Sequence, residues 1–186
     1  DGKTDLFVKG YSTYRALYIA KSTGDGFIRK FLGTGDGVGG TDSEAFLTNA
    51  SAVVYPGDYN GDGKTDLFVK GYGTYRVLYL ANSTGDGFDC AFSGDTDGLG
   101  GTDSEPFFTD ASAMIYPGDY NGDGKTDLFV KGYGTYRALY HANGSGTGFD
   151  CAFSGDADGL GGTDSDMFFT DSTAKIFTGD YNGDGK

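Results

Sequence analysis

Asp58, Asn60, Asp62 and Asp66 stand at positions 1, 3, 5 and 9 of a nine-residue stretch with Gly at positions 4 and 6. Oxygen donors on alternate residues can converge on one cation when glycines let the backbone curl through positive φ. Lys64, at position 7, would offer its backbone carbonyl while its ammonium points to water. A second copy reads Asp119, Asn121, Asp123, the Lys125 carbonyl and Asp127. A third is split, with Asp180, Asn182 and Asp184 near one end of the chain and Asp1, the Lys3 carbonyl and Asp5 near the other. Hard oxygen donors without His or Cys select Ca²⁺ over zinc or copper. The spacing matches the first part of an EF-hand loop without its Glu at position 12 and without flanking helices. A strand–loop–strand calcium site is therefore expected. Asn-Gly and Asp-Gly also make plain hairpin turns, but turns alone do not require three copies of the alternating acids.

Weaker constellations accompany these loops. Asp95 to Asp103 carries acids at 1, 3 and 9 and recurs at Asp156 to Asp164, while the first copy reads Thr34-Gly35-Asp36 and loses the first acid. It is either a second cation loop or a Gly-rich connection with solvated carboxylates. Tyr72, Tyr75 and Arg76 recur as Tyr133, Tyr136 and Arg137 and as Tyr11, Tyr14 and Arg15. Aromatic faces beside guanidinium donors suit sugar rings. Cross-strand Tyr pairing with an Arg–Asp bridge between sheets is the competing reading, and packing alone would require it in every copy.

Asn49, Asn82 and Asn143 open N-x-S/T triplets, acceptors for N-glycosylation in a secreted chain. His141 is the single histidine, and Ile19 and Leu80 occupy its place in the other copies. No nucleophile–base–acid trio stands out, and the paired carboxylates recur in each copy whereas a catalytic set stands once per domain. No enzymatic role is expected.

The elements that position these residues follow from a repeat. The segment from Gly57 to Tyr72 returns at Gly118 to Tyr133, with its tail at Asp1 to Tyr11 and its head at Gly179 to Lys186, at a constant period of 61. The 186 residues read as one repeat domain of three 61-residue units, approximately 1–61, 62–122 and 123–183, with 184–186 overlapping the start of a further unit. Such a cut fits either ends that meet to rebuild the split loop or an array that continues.

Within a unit the hydrophobic period is two. Ala113–Tyr116, Thr126–Lys131, Tyr136–Tyr140 and Phe149–Phe153 read as four strands joined by Gly-rich turns. Four strands per 40 to 60 residues is the pattern of a propeller blade. The expected fold is all-β, tandem four-stranded antiparallel blades of a β-propeller. Cys90 and Cys151 hold the same place in successive units, too far apart for a disulfide, and are expected to be buried small hydrophobes.

Composition agrees. Gly 35, Tyr 14 and Phe 15 describe turn-rich β-structure able to bury a core rather than disorder. A net charge of −13 opposes binding to nucleic acid. No apolar run reaches the roughly 18 residues of a membrane span, so membrane insertion is not expected.

The DxNGDGxxD loop followed by Leu-Phe-Val, repeated along the whole chain, resembles the FG-GAP and VCBS repeats. Those repeats build integrin α-chain propellers, bacterial surface proteins and fungal lectins of the Psathyrella velutina type. The resemblance implies seven-bladed propellers with a calcium loop joining the first two strands of many blades. This chain differs in having three units and no Trp. It also implies an extracellular or cell-surface module, stabilised by Ca²⁺, that binds glycans or glycoproteins in a lectin-like way. The alternative is a structural, filament- or matrix-forming array whose only small ligand is calcium. Near-identical units favour the alternative, and either role involves self-association or continuation into further repeats.

Overall fold

The computed structural model describes residues 1–9, 15–33, 51–70, 76–94, 112–131, 137–155 and 173–186. Eleven strands form three antiparallel sheets, and no helix occurs among the described residues. The first sheet has β1 (Leu6–Lys9), β2 (Arg15–Ala20) and β3 (Phe27–Gly33), paired in that order. The second has β4 (Val53–Gly57), β5 (Asp66–Lys70), β6 (Arg76–Ala81) and β7 (Phe88–Gly94). The third has β8 (Met114–Gly118), β9 (Asp127–Lys131), β10 (Arg137–Ala142) and β11 (Phe149–Gly155). Each is a meander, as expected from short alternating strands joined by glycine turns. The two four-stranded sheets span 53–94 and 114–155, so each crosses a boundary of the units read from the sequence.

Register repeats with the sequence. Gly57 pairs with Asp66 and Gly118 with Asp127, which brings both ends of each acidic loop together at the base of a hairpin. All three sheets carry an irregularity at the same place in the pairing of their last two strands, at Leu17/Tyr18, Leu78/Tyr79 and Leu139/Tyr140. An extra residue there kinks the edge strand and increases local twist.

The sheets stack in a row with the second in the middle. One core joins Phe68, Leu78 and Tyr59 to Leu128, Val130, Tyr140 and Phe149 of the third sheet. The other joins Leu67, Val69, Val77, Tyr79 and Phe88 to Leu17 of the first. Neighbours on both sides bury consecutive residues of β5. The same Leu-Phe-Val-Lys in β1 alternates, leaving Leu6 43% and Val8 41% exposed. Sequence is equal there and burial is not; the difference is the neighbour.

Cys90 and Cys151 are half-buried and not disulfide-bonded. The Cys90 thiol lies 3.4 Å from the Phe92 carbonyl oxygen, and both cysteines pack against the cores as partly rather than fully buried side chains. Among the described residues, no helix is long and apolar enough to cross a membrane.

Candidate metal centre

The loop from Asp58 to Asp66 joins β4 to β5 and winds around one carboxylate. Asp58 Oδ1 accepts the N–H groups of Gly61 at 2.7 Å and Asp62 at 3.1 Å, and Oδ2 accepts that of Gly63 at 2.8 Å. Asn60 Oδ1 accepts Asp62 N–H at 2.9 Å, and Asp62 Oδ1 accepts Lys64 N–H at 2.9 Å. Side-chain-to-backbone bonds over two residues fold the loop into successive Asx turns. Gly61 and Gly63 supply the φ values of 77° and 81° that the winding needs.

The Asp119 loop repeats the pattern, with Gly122, Asp123 and Gly124 donating to Asp119 at 2.7, 3.1 and 2.9 Å. Around Asp180 the donors are Gly183, Asp184 and Gly185, at 2.6, 3.1 and 2.8 Å. Three stretches of sequence thus adopt one conformation.

The last acid of each full loop sits inside the protein. Asp66 and Asp127 are fully buried. Asp66 accepts Tyr59 N–H at 2.9 Å and Ala81 N–H at 2.8 Å; Asp127 accepts Tyr120 N–H at 3.0 Å and Ala142 N–H at 2.9 Å. Each carboxylate therefore ties its loop to the end of the third strand. Burial pushes Asp66 up to about 6, against those two hydrogen bonds, and the nearby Asp62 and Asp58 charges add to the rise. Burial raises Asp127 as well.

The lysines add a contact the spacing did not show. The Lys64 side chain stays 37% exposed, and its ammonium lies 2.7 Å from Asp62 Oδ2; that hydrogen bond is the leading cause that holds the Asp62 carboxyl below its ordinary value. Lys3 and Lys125 approach Asp1 and Asp123 at 3.2 and 3.6 Å. With loop anions facing negative neighbours, the lysine two residues on is the nearest compensating charge.

The donor set suits a hard cation: all oxygen, with a carboxylate raised by burial and, to a lesser extent, by negative neighbours. Asp58, Asn60, Asp62, the Lys64 carbonyl and Asp66 would hold it in one loop, and Asp119, Asn121, Asp123, the Lys125 carbonyl and Asp127 in the other. Among the described residues, no three His, Cys, Asp or Glu side chains are grouped to hold a metal as they stand. Asp62 is turned toward Lys64, so uptake would require that side chain to exchange the ammonium for the ion.

The split third set is not brought together within the chain. Lys186 packs over Gly122 of the second full loop. Asp1, Lys3 and Asp5 instead share a groove of about 890 Å³ with Gly63, Lys64 and Thr65. A row of stacked sheets puts the two halves at opposite ends. Asp5 accordingly accepts Ala20 N–H at 2.8 Å but is exposed, unlike Asp66 and Asp127.

The loops also hold neighbouring sheets, which the sequence reading missed. Asp58 N–H donates to Thr126 Oγ1 at 3.0 Å, and Thr126 N–H to the Asp58 carbonyl at 2.7 Å. A Cβ on Gly61 would lie 3.2 Å from the Lys125 side chain, and one on Gly146 only 2.7 Å from Asn60 Cα. Tyr59 wedges between sheets, its ring 6.3 Å from Phe68 and 5.6 Å from Phe149. The signal was present: Tyr follows the first acid and Thr precedes the last acid in every copy.

Of the expected sugar-binding set, Arg76 is fully buried and Arg137 is 1% exposed. A guanidinium with no free surface cannot reach a sugar in this arrangement, so these two arginines belong to the interior. Tyr11, Tyr14, Tyr72, Tyr75, Tyr133 and Tyr136 lie outside the described residues, and the side chain of Arg15 is likewise not described. The second acidic stretches and Asn49 also lie outside. Asn82 and Asn143 open the turns between the last two strands, where Thr84 and Ser145 hydroxyls contact their amide oxygens at 2.9 and 2.8 Å.

Residues 58–130, which contain both full loops, match the family model of the FG-GAP-like repeat. No curated protein and no solved structure gives a significant match to the chain.

Proposed function

We propose that this chain, which carries an FG-GAP-like repeat over residues 58–130, is an extracellular, calcium-stabilised β-propeller module of adhesion or recognition, with glycans or glycoproteins as its ligand class. The observation that carries the calcium part is the repeated loop. Two copies bury a carboxylate at the same point beside further loop acids, and a bound cation would offset that charge. A bound Ca²⁺ would supply electrostatic cross-linking and no chemistry. It would clamp the first hairpin of each blade and, through the same loop, the next sheet. The glycan part rests on the resemblance, and the sequons at Asn82 and Asn143 are compatible with secretion. Catalysis is no part of the proposal, because its carboxylates recur unit by unit.

The second reading, a purely structural array, is favoured by a specific observation. Arg76 and Arg137, two of the three arginines in the expected sugar-binding set, are buried inside the protein. A glycan-array screen of the calcium-loaded protein, repeated after chelation, separates the two. Saturable binding to one sugar class, lost on chelation, supports recognition. Silence from a folded, calcium-saturated sample leaves the structural array.

A further inference from the structure

The two whole acidic loops are joined to each other along two routes, and both routes end on residues of the donor sets. The first runs through Thr126, which stands between the Lys125 carbonyl and Asp127, the last two donors of the second loop. Its hydroxyl oxygen accepts the Asp58 N–H at 3.0 Å, and its own N–H donates to the Asp58 carbonyl at 2.7 Å. Asp58 is the first donor of the other loop and the carboxylate around which that loop winds. Gly57 leaves room for this contact, since a Cβ there would lie 2.7 Å from the Thr126 methyl carbon. The Lys125 stem also covers Gly61 of the first loop, where a Cβ would be 3.2 Å from Lys125 Cγ.

The second route runs through the turn between β10 and β11. Asp127 accepts the N–H of Ala142, the last residue of β10, at 2.9 Å. Asn143 follows and closes the turn: its N–H donates to the Gly148 carbonyl at 2.9 Å, and its carbonyl accepts the Gly146 N–H at 3.0 Å. Gly146 faces Asn60, the second donor of the first loop, with room for no Cβ between them. Asp58 and Asn60 of one loop are thus tied to Asp127 of the other, once through a backbone neighbour and once through a hydrogen-bonded turn.

From these contacts we infer that the two loops take up calcium cooperatively, each filled loop raising the affinity of the other through Thr126 and the Asn143–Gly148 turn. The coupling deepens the calcium reading of the loops and rests on it. An ion held by the Lys125 carbonyl and Asp127 would fix Thr126 from both sides and, through Ala142, the turn. Asp58 and Asn60 would then wind against partners already ordered, with less conformational freedom left to lose. Linkage makes the help mutual and equal in both directions. Repulsion between two bound ions works against it, but Asp62 and Asp123 are exposed, and salt screens charges that face water.

The test is calcium titration calorimetry of the whole protein at about 0.15 M salt, beside two variants that each disable one loop. Asp62→Ala and Asp123→Ala remove exposed carboxylates that lie on neither route, so each should fold as the wild type does by circular dichroism and bind one ion. The wild type should bind two, in a curve steeper than one-site binding. Its half-saturation should fall about 3-fold or more below the geometric mean of the two variants' dissociation constants, which corresponds to a coupling of about 10-fold. Thr126→Val keeps every donor, removes the hydroxyl bond to Asp58 and should lessen that shift. Two ions that bind as the plain sum of the two variants, or a shift that Thr126→Val leaves unchanged, overturn the coupling and leave the calcium sites standing. A wild type that takes up no calcium overturns the coupling and the calcium reading together.

Discussion

Asp58 and Thr126, 68 positions apart, exchange two hydrogen bonds between adjacent sheets, one through the Thr126 hydroxyl and one through its backbone N–H. The loop that winds around the Asp58 carboxylate is thereby also the fastener to the next unit. Local conformation and long-range packing meet in one residue.

Thr126→Val removes the hydroxyl acceptor at nearly constant volume and strands the half-buried Asp58 N–H. The expected cost is about 1 kcal/mol, the usual net value of one hydrogen bond. Denaturant unfolding measures it, and Thr126→Ser should recover most of the loss.

Three tyrosines at one repeat position give a graded series. Tyr59 is fully buried, Tyr120 is half-buried with its ring 6.3 Å from Phe129, and Tyr181 is 82% exposed. Substitution by Ala should cost about 3–5 kcal/mol at Tyr59, less at Tyr120 and close to nothing at Tyr181 in the dilute chain. Equal costs at all three positions would contradict the stacking order.

Gly146 and Gly85 have nearly the same backbone, with φ of 67° and 69°. Placing Ala at either incurs the left-handed penalty of about 1–2 kcal/mol. At Gly146 the new Cβ also meets Asn60 Cα at 2.7 Å, while at Gly85 it meets nothing. Thermal melts of the two variants should differ, with Gly146→Ala the less stable by a further 1 kcal/mol or about that for the forced shift.

Calcium binding is expected with a stoichiometry of two per dilute chain, one for each whole loop, by titration calorimetry. At calcium about 100-fold above Kd, each filled loop adds roughly 2.7 kcal/mol to unfolding, which chelation removes. Asp66→Asn keeps the shape of the buried side chain and lowers the stoichiometry to one. Unchanged melting on chelation would sink the calcium reading.

Much of this was legible in the sequence because a repeat reports itself three times. Strand positions such as Thr126–Lys131 and Phe149–Phe153 fall within a residue or two of β9 and β11, since period-two alternation and Gly turns fix them locally. The acidic loops were legible for the same reason. The fate of Arg76 was not, because an arginine beside tyrosines has one sequence signature whether it faces a ligand or the interior. Nor was the Asn60–Gly146 contact, which depends on how one unit rotates onto the next. Periodicity records the unit; it does not record the angle between units.

The contact set around Asp58 bears on how such a protein could grow over generations. One copy presents Asp, Asn and Gly, and the following copy presents the Thr, Lys and Gly that receive them. A duplicated copy therefore arrives already complementary on both sides. The chain can lengthen by one period without a compensating substitution, and near-identity among copies is what that route leaves behind.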